Sequence, residues 1–106
     1  MVVKLLNIAE VIRSKNSGPY EITLDIIFKD QITFEKVSAA KIFSPDFIAG
    51  LYGIKVNDVL GIIEFKPARA IKINFCRNIP SGGLGETDVY GAQQHAPLLG
   101  VEFLLD

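Results

Sequence analysis

Two stretches of the sequence hold residues whose types could do chemistry, Arg13 to Pro19 and Asn78 to Pro97. The first, Arg13-Ser14-Lys15-Asn16-Ser17-Gly18-Pro19, sets two cations among three small polar side chains. Arg13 and Lys15 could hold a carboxylate or phosphate through charge-assisted hydrogen bonds. Ser14, Asn16 and Gly18 complete the ligand-binding candidates of this stretch. The same residues also suit a helix C-terminus, where cations complement the dipole and a glycine takes the left-handed conformation.

The second stretch contains Pro80-Ser81-Gly82-Gly83-Leu84-Gly85. Gly82, Gly83 and Gly85 are spaced closely enough for backbone N–H groups to converge on an anion. The pattern is neither a P-loop nor a dinucleotide fingerprint, because no Gly-Lys-Ser/Thr follows and no strand-to-helix context surrounds it. A flexible turn explains it as well. Downstream, Glu86, Asp88 and the single histidine, His95, are the catalytic candidates, as a base and its orienting carboxylate. Gln94 joins the ligand-binding set. The same three side chains offer oxygen and nitrogen to a divalent metal, but their spacing fits no established motif, so no metal site is assigned and the cofactor is left open. A histidine bonded to nearby backbone, or packed at an interface, is the plainer account. An irregular stretch of about twenty residues is nevertheless uncommon in a compact domain unless it binds something or is disordered.

These residues must be positioned by the elements between them. Val2 to Leu6 reads as a short strand, and Asn7 with Glu10 then forms a capping-box pattern. Leu5, Ile8, Ala9 and Ile12 fit a helical face, which predicts a short helix over about 8–14. Leu6, Ile8 and Ile12 also share a face at period two, so a continuous strand stands as the alternative. Tyr20 to Lys29 alternates clearly, with Ile22, Leu24, Ile26 and Phe28 on one face and Glu21, Thr23, Asp25 and Lys29 on the other, and is a strand. Thr33 to Ile42 predicts a helix. Ser44-Pro45-Asp46 starts another and Gly53 ends it.

Val59 to Phe65 and Ala70 to Arg77 predict a hairpin closed by Lys66-Pro67-Ala68-Arg69, and Val101 to Leu105 a last strand. The lone cysteine, Cys76, falls on the strand face of Lys72 and Asn74, and reads as a structural thiol because activation would need His95 to fold back from a distant loop. The expected fold is α+β, an antiparallel sheet with helices packed on one face.

With 106 residues, one domain over 1–106 is the default. The chain is 49% apolar with a mean hydropathy of +0.32, yet no apolar run approaches the roughly 18 residues that span a bilayer. That apolar content belongs in a tight core or an interface. Eleven basic and twelve acidic residues give a net charge of −1, without blocks of like charge. Neither nucleic acid nor a membrane surface is an expected partner. The absence of a secretory pattern and of a cysteine pair makes a cytoplasmic protein the simplest expectation.

LLNIAEVIRSKNSGPYEITLDIIFKD, FSPDFIAGLYGI, GIIEFKPARAIKINF and GETDVYGAQQHAPLL, taken together, resemble a small family of uncharacterised proteins. That family, a domain of unknown function, is similar to the C-terminal ferredoxin-like domain of acyclic terpene utilisation (AtuA-type) proteins. In those larger proteins the first stretch looks like Arg-Ser-Gly-Asp-Lys-Gly; only Arg13, Ser14 and Gly18 carry over, with Asn16 and Ser17 at its charged positions. Ile73-Asn74-Phe75 and the Gly82-Gly83 pair carry over better. The resemblance implies a ferredoxin-like sheet and a free-standing copy of a domain fused elsewhere to a larger partner. An accessory or interaction subunit of an AtuA-type catabolic protein follows, sharing a site for acyl-CoA or organic-acid substrates. The alternatives are a stand-alone hydro-lyase or isomerase acting on a small carboxylate or acyl thioester, and a homo-oligomeric binding module.

Overall fold

The computed structural model describes residues 1–18, 20–76 and 96–105. Strand β1 (Val2–Lys4) runs into a single helical turn, α1 (Leu5–Ile8), and then β2 (Ala9–Gly18) and β3 (Glu21–Phe28). Helices α2 (Gln31–Ala40) and α3 (Pro45–Tyr52) follow, then β4 (Val59–Phe65), β5 (Ala70–Cys76) and β6 (Glu102–Leu104). The fold is α+β. Its main sheet has the order β2-β3-β5-β4, antiparallel throughout, and β1 pairs with β6 in a separate ribbon.

Both β3 and β4 run antiparallel to β5, which lies between them, so they are parallel to each other and joined through α2 and α3. This is a split β-α-β unit, the heart of a ferredoxin-like sheet. Here β2, which precedes the unit in the chain, takes the outer place beside β3.

The alternation of β3 buries Ile22, Leu24, Ile26 and Phe28 completely, and Ile71, Ile73 and Phe75 of β5 extend the same face. Phe34 and Val37 of α2 and Ile48 of α3 close over it, so both helices lie on one side of the sheet. The ribbon joins the same core through Leu5, Leu98 and Val101, with Leu5 N donating to the Val101 carbonyl at 3.0 Å.

Helix α3 begins and ends as its sequence dictates. The Ser44 hydroxyl accepts from Phe47 N at 3.1 Å, Pro45 occupies the first turn, and Gly53 closes the helix at φ 66°. Helix α2 starts two residues before the expected Thr33, because Asp30 is the cap: its carboxylate accepts from Thr33 N at 2.7 Å. That bond stabilises the ionised form and holds the Asp30 carboxyl below its ordinary value, with smaller contributions from Arg69 and Lys36. A carboxyl with a depressed folded pKa stabilises the fold above its unfolded value and loses that contribution as pH falls through the folded one. Asparagine caps equally well but does not titrate there. The melting temperature of the wild-type chain is therefore expected to fall more steeply below pH about 4 than that of Asp30→Asn; parallel acid limbs would contradict the role.

The expected helix over 8–14 is not formed. Helix α1 ends at Ile8, its N-cap is Lys4 rather than Asn7, and Ala9 begins a ten-residue strand. Pairing with β3 decides the matter, since the register runs from Val11 to Asn16 without a break and the backbone groups of β2 that face β3 find their partners there. Irregularities between Ala9 and Val11 and between Asn16 and Gly18 shift the register. A helix over these residues would forfeit that ladder. Arg13 to Gly18 is accordingly an edge strand, not a loop after a helix, and a helix dipole does not explain its cations.

Candidate functional site

Side chains on a strand alternate between faces, and those directly opposite on adjacent strands share one. Ser14 pairs with Leu24 and Asn16 with Ile22, which places both on the helix-covered face. Ser14 is buried there, and both side chains are already engaged with other groups. Arg13 pairs with Asp25 and Lys15 with Thr23, on the opposite, open face. The first candidate set is therefore split by the pleat. Only Arg13 and Lys15 look out over the open face.

The register extends each pair across the sheet. Arg13, Asp25, Lys72 and Ile63 form one row. Below it lie Lys15, Thr23, Asn74 and Gly61, and above it Val11, Ile27, Ala70 and Phe65. One row is charged, one polar and one apolar.

The Asp25 carboxylate anchors the charged row. It accepts from Arg13 Nε at 3.1 Å, with its side chain only 9% exposed against 64% for that of Arg13. Because Nε makes this bond, the terminal nitrogens of the guanidinium retain their donors. In the polar row the Thr23 hydroxyl donates to Asn74 Oδ1 at 2.6 Å. Lys15 and Lys72 are exposed, and no carboxylate among the described residues lies within ion-pair distance of either. A groove of about 370 Å³ lies over this face, with Arg13, Lys15 and Lys72 around Asp25 and an apolar end at Ile63 and Phe65.

Arg69 locks the β4–β5 connection beside the apolar row. It sits at φ 53°, an uncommon position for a residue with a side chain. Its Nε donates to the Phe28 carbonyl at 3.1 Å and its Nη2 approaches Glu10 at 3.5 Å, tying the turn to β3 and β2. On the other face the Tyr52 ring packs 4.7 Å from that of Phe75, and burial raises its hydroxyl well above the ordinary tyrosine value, so it stays neutral.

Glu86, Asp88, His95, Gly82, Gly83, Gly85 and Gln94 lie outside the described residues. What the backbone does place is the origin of their stretch: Cys76, the last residue of β5, pairs with Glu21, which pairs with Gly18. Cys76 and Gly18 thus stand at the same end of the sheet. At roughly 3.3 Å per residue, Lys72 lies about 13 Å along β5 from that end. Among the described residues, no group of three or more histidine, cysteine or acidic side chains could hold a metal ion, and no helix is long and apolar enough to cross a membrane.

Sequence reasoning named Arg13 and Lys15 but missed Asp25 and Lys72. Both stand at polar-face positions of strands that were read correctly, and a charge at the centre of each strand was the available signal. Only the pairing of β3 with β5 brings them together.

No curated protein and no solved structure matches the chain significantly. A family model does match, over residues 5–102, and the chain belongs to that family, a domain of unknown function (DUF4387).

Proposed function

We propose that this chain is an interaction subunit that docks on a larger, AtuA-type catalytic protein in the cytoplasm and lends its open sheet face to a shared site for organic acids or acyl thioesters. The observation that carries the reading is the composition of that face. Ile63 and Phe65, 50% and 61% exposed, border three cations that face a single carboxylate. In a chain of net charge −1 this is a local basic excess beside an apolar end. Its complement is a partner surface with carboxylates beside an apolar patch, the arrangement by which charge sets specificity and burial supplies affinity. The resemblance of the chain to a domain that is fused to such a protein elsewhere supports the choice of partner.

Size-exclusion chromatography with light scattering, on this chain mixed with an AtuA-type protein from the same source, tests the proposal. A stoichiometric complex is expected, and Phe65→Glu is expected to abolish it while leaving the melting temperature of the free chain nearly unchanged. Separate elution of the two proteins would defeat the reading. A homodimer dispersed by Phe65→Glu would defeat it in favour of the binding-module alternative.

A further inference from the structure

The layout of the open face specifies more than a docking patch. The groove runs from the cations Lys15, Arg13 and Lys72 to the apolar Phe65, Ala68 and Ala70, so it is amphipathic along the strand direction. We infer that it binds a small monocarboxylate with an apolar body, the carboxylate meeting Arg13, Lys15 and Lys72 and the body lying along Ile63 and Phe65.

Three features select this ligand class. Asp25 neutralises one cation and fixes the Arg13 guanidinium from its Nε side, leaving the terminal N–H donors to a second, incoming carboxylate. Lys72 stands two strands from Arg13, about 10 Å away at the backbone, and Lys15 stands two residues along β2, about 7 Å away. Their long stems span those distances, so the three cationic heads can meet on one anion. One carboxylate against three cations leaves the groove with a basic excess that attracts an anion.

The apolar row accounts for the rest. Ile27 and Ala70 floor the groove beside Phe65 and Ile63, and none of these has a polar side-chain atom to offer a phosphate or sugar. The volume of about 370 Å³ lies at the small end of the range for ligand pockets, roughly 300–1,000 Å³. It suits a short acid and is too small to enclose a nucleotide-bearing thioester. The inference rests on the reading of this face as part of a shared site for organic acids, and the isolated chain tests it separately because every named contact comes from this chain.

Hexanoate is the probe, followed by amide chemical shifts of the isolated chain, with acetate, hexylammonium and inorganic phosphate as comparisons. Saturable shifts at Arg13, Asp25, Lys72 and Phe65 are expected with hexanoate, with at least tenfold weaker binding of acetate, which lacks the apolar body, and none of hexylammonium. Lys72→Met, which removes an exposed charge that has no ion-pair partner among the described residues, is expected to weaken hexanoate about tenfold without lowering the melting temperature. Ile63→Ser is the second variant and is expected to erase the preference for hexanoate over acetate. Shifts that do not saturate, that fall on α2 and α3, or that acetate, phosphate or hexylammonium reproduce at equal strength would overturn the assignment.

Discussion

Phe28→Ala is expected to lower the unfolding free energy by about 3–5 kcal/mol, among the largest losses expected from the described residues. Phe28 is fully buried at the end of β3 and meets the Phe34 ring of α2 at 6.1 Å. Its backbone N–H donates to the Arg69 carbonyl at 2.8 Å, and its carbonyl accepts from the Arg69 side chain. The residue thus joins sheet, helix and turn at one point, where the surroundings can collapse only partly into the space left by truncation. Against a total stability of about 5–15 kcal/mol for a domain, such a loss brings the chain close to unfolding. Urea denaturation measures it through the midpoint at constant slope. A loss below about 1 kcal/mol would mean that the helix–sheet packing described here is wrong.

The second large effect comes from the charged row. Arg13→Met is expected to cost about 1–3 kcal/mol, although Arg13 itself is mostly exposed. The cost falls on Asp25, whose carboxylate has little contact with water and loses its ion-pair partner. Removing both charges together tests that explanation. In Arg13→Met/Asp25→Leu no charge is left stranded, and most of the loss is expected to return. A double variant as unstable as the sum of the two single ones would show that the pair is not coupled, and Asp25 would then not be the anchor of the row.

The parts of the fold that the sequence made legible are those whose signals are local. Helix α3 is bounded by Ser44, Pro45 and Gly53, each of which acts on its own helix end. Strand β3 declares itself because one face enters the core without interruption from Ile22 to Phe28. The segment around β2 was ambiguous because Leu5, Ile8, Ala9 and Ile12 fit a helical face while Leu6, Ile8 and Ile12 share a face at period two. Its irregularity between Ala9 and Val11 also breaks the two-residue phase that would have marked a strand. Pairing with β3 resolves it, and pairing is not local.

The same distinction governs the site. Arg13, Ser14, Lys15 and Asn16 looked like one cluster because they are consecutive, yet the pleat sends alternate members to opposite faces. Asp25 and Lys72 looked like ordinary solvent-face charges because each was seen on its own strand. Register turned one apparent cluster into half a site and supplied the other half from β3 and β5.

The claim at the centre of this account is that the open sheet face is the surface through which the chain works. Hydrogen exchange on the chain, free and mixed with the proposed AtuA-type partner, addresses it directly. The outer strands β2 and β4 each have one side unpaired within the main sheet, and their amides report cover on that face and its rims. Slowed exchange in β2 and β4, with α2 and α3 unchanged, is the predicted result. Protection confined to α2 and α3, or none in either outer strand, would contradict it.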